Sequence, residues 1–202
     1  MIGCLLRGVS LLLSLTACAS AAARPTAVAA AANPSMLVVV VRHGEKAPTP
    51  PNDPVLSTAG MARAGALDSA LRNLSVTDVV VSQLQRTRLT ASVFIARTNA
   101  VVHVVPIGAA GVAAHVQALA DTVRAIARTA GRGGVLVVGH SNTVTKIVEA
   151  LGGPSAPELC DSQYSQYFLL RGQPSGSVAL TRTTYGAADA ADATCASMQG
   201  AR

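Results

Sequence analysis

VVVVRHGEK, residues 38–46, changes character at a single peptide bond. Four consecutive valines form a short apolar run of the length and β-branched composition of a strand covered on both faces. Arg42, His43, Glu45 and Lys46 follow at once, in a chain only 13% charged. Such a cluster is either a solvated turn or a chemical site. A strand buried on both faces needs helices on either side, and the downstream pattern supplies them. Ser57 can cap a helix through about Leu74 with Met61, Leu67, Leu71 and Leu74 on its apolar side. VTDVVVS, from Val76, is a second strand, RTRLTASVFIA a second helix and VVHVVP a third strand. Val116, Leu119, Val123 and Ile126 then recur at helical spacing. GRGG ends that helix, VLVVG forms a fourth strand, and a helix runs from about Asn142 to Leu151. Segments near 165–171 and 177–184 can add strands. Strands alternating with helices predict an α/β three-layer sandwich, a mostly parallel central sheet with helices on both faces.

The chain has 202 residues, enough for one domain of sizeable core with appended segments. Two Phe, three Tyr and no Trp leave the core to aliphatic residues and provide no base-stacking platform. A formal charge of +6 and a pI near 9.7 favour anionic partners. The arginines are scattered, which favours a small phosphorylated ligand or an anionic membrane surface over nucleic acid.

Residues 1–17 read as a signal peptide: Arg7, then VSLLLSL, then small residues, too short to span a membrane as a mature helix. Leu15-Thr16-Ala17-Cys18 resembles the bacterial lipoprotein cleavage box, which would leave Cys18 as an acylated first residue anchored in the cell envelope. The other reading is an ordinary secretory signal cut at a nearby Ala-x-Ala step, giving a secreted or periplasmic protein. Residues 18–34 are small and low in complexity, a tether to a domain over 35–185, with a tail at 186–202. In an exported protein the two remaining cysteines, Cys160 and Cys195, are either a disulfide that pins this tail or two free thiols. Their spacing is not that of a zinc site, and no metal is expected.

In such folds ligands bind beyond the carboxyl ends of the strands. Strand one ends in Arg42-His43-Gly44, strand two in the SQLQRT of Ser82–Thr87, and strand four in the GHSNT of Gly139–Thr143. Two arginines and two histidines thus share one sheet edge, a set suited to a phosphoryl group: guanidinium forks for its oxygens, a neutral imidazole nucleophile and a cationic one for transition-state charge. Gly44 lets the backbone turn beside the reacting phosphorus.

VVVVRHGEK, SQLQRTRLTA and VLVVGHSNT, in this order and with LSTAGMARAGAL between the first two, resemble the histidine phosphatase superfamily, the phosphoglycerate mutase-like fold. PELCDSQYSQYFLL, residues 157–170, with GHSNT resembles a small bacterial subgroup of it. The resemblance implies that His43 becomes phosphohistidine, that Arg42 and Arg86 hold the phosphate, and that His140 completes the pocket. It implies no metal or organic cofactor. Gly44, Lys46 and Ser141 are further candidates for substrate contact. Lys46 stands where the acid phosphatase pattern RHGxRxP has arginine.

The family also uses a carboxylic acid to protonate the leaving oxygen, and this sequence does not declare one. Ser141 follows His140, and Asp121 falls on an amphipathic helix as a solvated residue. Glu45, beside the nucleophile, is the candidate acid, and it can equally pair with a cation. Without a strong acid, aryl phosphates, phosphoramidates and anhydrides are the expected substrates. His103 and His115 read as structural or exposed, and Gly131, Gly133 and Gly134 as a turn lacking P-loop spacing. The expected function is hydrolysis of a phosphomonoester or phosphoramidate. The alternative is a non-catalytic lipoprotein of the same fold that binds phosphate or a phospho-sugar. A serine hydrolase is excluded because no histidine follows Ser141, and a mutase suits an intracellular protein better than an exported one. The residues specify neither the natural substrate nor the oligomeric state.

Overall fold

The computed structural model describes residues 36–129, 133–173, 175–192 and 195, all within the compact unit Ala31–Arg202. The signal peptide, Cys18 and the tether to residue 34 lie outside the described residues. Six strands and four helices follow the order β1 (Leu37–Arg42), α1 (Thr58–Ala70), β2 (Val76–Val81), α2 (Gln85–Thr98), β3 (Val101–Val104), α3 (Gly111–Ala127), β4 (Gly134–Gly139), α4 (Val144–Ala150), β5 (Gln166–Gly172) and β6 (Val178–Thr184). The sheet order is β3-β2-β4-β1-β5-β6. The first four of these strands are parallel, and β5 and β6 add antiparallel strands on the β1 side.

The opening valines divide between the two faces, as a pleated strand requires. Val38 and Val40 join Val116, Leu119, Val123 and Ile147 in the core under α3 and α4. Val39 and Val41 join Leu67, Leu71 and Phe94 under α1 and α2. All four are fully buried, and each contributes roughly 1.5–3 kcal/mol of apolar transfer. The edge strand β3 is different, leaving Val101, Val102 and Val104 exposed.

One detail agrees with the sequence reading and two depart from it. Ser57 does cap α1, its hydroxyl accepting from the Gly60 N–H at 3.2 Å. Met61, however, faces solvent, and α1 instead buries Gly60, Arg63, Ala64, Leu67 and Asp68. Two of those are ionic and compensated, Arg63 by Glu45 and Asp68 by Arg97, so an apolar template could not find them. The last helix begins at Val144 rather than near Asn142, because the Thr143 hydroxyl first accepts from the His140 N–H at 2.8 Å.

The turn after β1 is held by close backbone approach. The Gly44 N–H donates to Thr90 Oγ1 of α2 at 2.9 Å. From the other side comes Gly60 of α1, where a Cβ would lie 2.3 Å from the Glu45 carbonyl oxygen; one on Gly44 would lie 3.0 Å from the Gly60 carbonyl oxygen. Both helices therefore abut the RHG turn directly, and glycine at each position makes that possible.

Candidate active site

Register brings the two histidines together. Arg42 pairs with Gly139 across β1 and β4, and the His43 N–H continues the ladder to the Gly139 carbonyl at 3.0 Å. The residues that follow these strands are therefore neighbours, with the His43 and His140 rings 5.3 Å apart in an edge-to-face arrangement. Arg42, His43, Arg86 and His140 all line one cavity of about 340 Å³, with Lys46 and Ser141 on its walls. A volume of that order suits a small ligand. Arg42, Arg86 and Lys46 supply three cationic side chains, against Asp161 as the one carboxylate among the lining residues.

His43 is almost wholly buried. Its Nδ1 lies 2.8 Å from the carbonyl oxygen of Gly44, an acceptor only, so Nδ1 carries the proton and Nε2 keeps its lone pair. Burial is the main reason its pKa falls to about 3, with the nearby His140, Arg42 and Arg86 adding to the effect. His140 is lowered to about 4, again chiefly by burial and then by Arg86. The free site thus holds two neutral imidazoles, whereas the sequence reading called for one cationic ring. His140 Nε2 lies 3.3 Å from Ser82 Oγ, which is itself 3.0 Å from Thr87 Oγ1. The Thr87 hydroxyl gives its one proton to the Leu84 carbonyl at 2.9 Å, so Ser82 donates to Thr87 and accepts from the His140 Nε2–H.

The arginines differ in their surroundings. Arg42 is buried, and its Nη1 donates to the carbonyls of Cys160 (2.7 Å), Asp161 (3.0 Å) and Gln163 (3.1 Å). Arg86 approaches Asp53 only at 4.0 Å. The Nε of each is buried and has no hydrogen-bond partner among the described residues. Both guanidiniums belong to residues that line the one cavity, where charged forks of this kind suit an oxyanion.

Glu45, the candidate acid, is engaged elsewhere and is not among the cavity-lining residues. Arg63 Nη2 donates to its Oε1 at 2.6 Å, and Arg63 Nε lies 3.0 Å from both oxygens. Burial pushes the Glu45 carboxyl up, but the Arg63 hydrogen bonds and charge outweigh it and hold the group below its ordinary value. A carboxylate held ionised in this way is unsuited to donate a proton.

Three residues at the site escaped the sequence reading. His115, taken as structural or exposed, is buried on the cavity wall, with Nδ1 3.3 Å from the Pro106 carbonyl. Asp161 lines the cavity, and the Tyr164 ring lies 4.0 Å beneath the Arg42 guanidinium carbon. All three reach the site from loops or a helix start, without a strand-end signal. His103 pairs with Asp78 at 2.8 Å and Asp121 with Arg124 at 3.0 Å, outside the cavity lining. Cys160 and Cys195 form a disulfide with Cα atoms 5.5 Å apart. Among the described residues no cluster of metal-ligating side chains occurs, and no helix is long and apolar enough to cross a membrane.

A mixed sheet between two helical layers, with Arg42 ending β1 and His43 following it, Arg86 after β2 and His140 after β4, has the histidine phosphatase, or phosphoglycerate mutase-like, fold. Residues 38–107 match the model of the histidine phosphatase superfamily (branch 1). Among solved structures the chain is similar to the protein histidine phosphatase SixA complexed with tungstate, at 23% identity and TM-score 0.55, covering 74% of this chain and 97% of that one. It is also similar to a mycobacterial glucosyl-3-phosphoglycerate phosphatase complexed with VO3, at 18% identity and TM-score 0.55, covering 75% and 99%. A phosphoserine phosphatase from Entamoeba histolytica complexed with 3-phosphoglyceric acid follows at 12% identity and TM-score 0.50, covering 76% and 98%. Among curated proteins no sequence matches.

Proposed function

We propose that the protein is a phosphatase hydrolysing a phosphomonoester or phosphoramidate through a phosphohistidine on His43. The observation that carries this reading is a neutral imidazole, fixed by the Gly44 carbonyl with Nε2 bare, on the same cavity as Arg42 and Arg86. Arg42 and Arg86 grip the phosphoryl oxygens. His43 Nε2 attacks phosphorus as the bond to the leaving oxygen or nitrogen breaks, and the leaving group departs with that electron pair and takes a proton. Water then attacks phosphohistidine, loses a proton, and returns His43 and inorganic phosphate. His140 faces the growing charge. Arrival of a dianionic phosphate reverses the local field that now keeps this ring neutral, and so favours its protonation. Lys46 and Ser141 contact the remainder of the substrate.

Asp161, the one carboxylate among the cavity-lining residues, is the candidate to exchange protons with the leaving atom. Its side chain is 97% exposed and lies 3.4 Å from Arg42 Nη2, so little holds it against that atom. The reading therefore keeps aryl phosphates, phosphoramidates and anhydrides as the preferred class. The engagement of Glu45 by Arg63 favours a second reading, a phosphate- or phospho-sugar-binding protein of this fold without turnover.

Assay of the protein against matched aryl and alkyl phosphates separates the two. Faster aryl turnover with an acid-labile phosphoryl adduct supports the enzyme. Equal rates on both esters overturn the leaving-group preference, and phosphate binding with no turnover of any ester establishes the binder. Export with acylation of Cys18 is proposed from the sequence, against the alternative of a secreted or periplasmic soluble form. The mass of the mature N-terminal peptide decides between them.

A further inference from the structure

Arg42 is held by a loop, and that loop is in turn held by the C-terminal tail. Residues 160–164 wrap the guanidinium: three of their carbonyls accept from Nη1, Asp161 meets Nη2 and Tyr164 lies against the planar face. An arginine offers its remaining donors in a fixed direction only when its fork is fixed, and here backbone oxygens fix it. Backbone acceptors are only as rigid as the segment that carries them. Without other support, these five residues of the long connection between α4 and β5 would be free to shift.

The tail supplies that support at several points. Cys195 is bonded to Cys160, the residue whose carbonyl makes the shortest contact to Arg42. Asp189 Oδ1 accepts from the Tyr164 and Ser165 N–H groups at 2.8 and 2.7 Å, and its Oδ2 from the Ser165 hydroxyl at 2.8 Å. Burial pushes the Asp189 carboxyl up, but these hydrogen bonds outweigh it and hold the group below its ordinary value. Asp192 receives the Ser162 hydroxyl at 3.0 Å and the Cys195 N–H at 3.2 Å, so the disulfide and the carboxylates brace one another. At its other end the tail is tied to the nucleophile's side of the site. Arg63, clamped on Glu45, donates through Nη1 to the Tyr185 and Ala187 carbonyls, both at 3.1 Å.

We infer that the tail, through the Cys160–Cys195 disulfide and Asp189, is a clasp that positions Arg42 for the phosphoryl group, making phosphate affinity depend on the oxidation state of that bridge. This rests on the phosphate-site reading above. Glu45 thereby has a role other than proton transfer, as the far anchor of the clasp. Asp189 and the two cysteines are positioning residues, acting on the phosphate through Arg42.

The test uses the full chain, oxidised and then reduced, with reduction at Cys160 and Cys195 confirmed by peptide mapping. The Arg42 Nε–H resonance is followed by NMR and the affinity for orthovanadate by titration. Reduction, and separately Asp189→Asn, is expected to broaden or shift the Arg42 signal and weaken orthovanadate about tenfold, the scale of one charge-assisted hydrogen bond. In an Arg42→Gln background, reduction is expected to have no further effect on affinity. An unchanged Arg42 signal in folded, fully reduced protein overturns the clasp, as does a loss of affinity that persists undiminished in Arg42→Gln. If the oxidised protein takes no oxyanion at all, the phosphate-site reading fails, while the NMR arm, which needs no ligand, still decides whether the tail holds Arg42.

Discussion

Replacing His43 by alanine is expected to lower kcat/KM on an aryl phosphate by at least ~10³-fold and to remove the acid-labile adduct entirely, with orthovanadate binding retained within about tenfold. In the proposed mechanism binding rests on the arginines, whereas turnover rests on Nε2. Measuring both quantities on the same preparation separates a lost nucleophile from a lost pocket, and an adduct surviving in the variant would place the nucleophile elsewhere. The same ring should show itself in pH dependence. With its pKa lowered to about 3, chiefly by burial, His43 stays neutral through the range where a free imidazole titrates. NMR of the ligand-free protein is expected to show no His43 titration between pH 7 and 5, and a midpoint near 6.5 would refute the buried, carbonyl-fixed state. The sign for stability follows. A folded-state pKa depressed below the unfolded value means that the unfolded chain binds more protons. The favourable contribution is complete above about 6.5 and is lost as pH falls toward 3. His140, lowered to about 4, acts in the same direction. His43→Ala should therefore flatten the decline of Tm with acidification relative to wild type.

The sheet was legible because its inner strands are unbroken valine-rich runs, and runs of that kind need covering layers on both faces. The site was legible where chemistry sits at the end of such a run, as at Arg42-His43 and Gly139-His140, because strand order and register then oblige the two ends to meet. Legibility stops where position depends on pairing across distant sequence. Arg63 and Asp68 look solvated within α1 and are buried because Glu45 and Arg97 neutralise them. Glu45 looked available to a leaving group for the same reason, since its partner lies on another element. His115, Asp161 and Tyr164 arrive from loops and a helix start whose paths are set by tertiary contacts. Asp161 and Tyr164 occur within PELCDSQYSQYFLL, a stretch noticeable as sequence, yet nothing in its composition says that its backbone carbonyls face Arg42. The disulfide was arguable from cysteine arithmetic, but its bearing on the arginine is visible only in the fold.

The two arginines should separate when each is changed to alanine, although both are assigned to one phosphate. Arg86→Ala removes a guanidinium that is partly exposed and has Asp53 only at 4.0 Å. Orthovanadate affinity should fall by roughly 10- to 100-fold, in keeping with about 1.5–3 kcal/mol for a hydrogen bond to a charged group, with little change in Tm. Arg42→Ala should match or exceed that loss and also destabilise the protein by about 1.5–3 kcal/mol, because the carbonyls of Cys160, Asp161 and Gln163 lose a charged donor and the packing of residues 160–164 on the guanidinium is lost. Arg42→Lys sharpens the point. A lysine keeps the charge, but one ammonium cannot serve three backbone carbonyls and an oxyanion from a single position, so affinity should stay low while part of the stability returns. Calorimetric unfolding and orthovanadate titration on all three variants supply the comparison. Equal Tm losses for Arg42→Ala and Arg86→Ala would deny the carbonyl cage any energetic weight. Full affinity in Arg42→Lys would show that the pocket needs positive charge at this position and no fork geometry, leaving Arg86 as the one arginine whose shape matters to the phosphate.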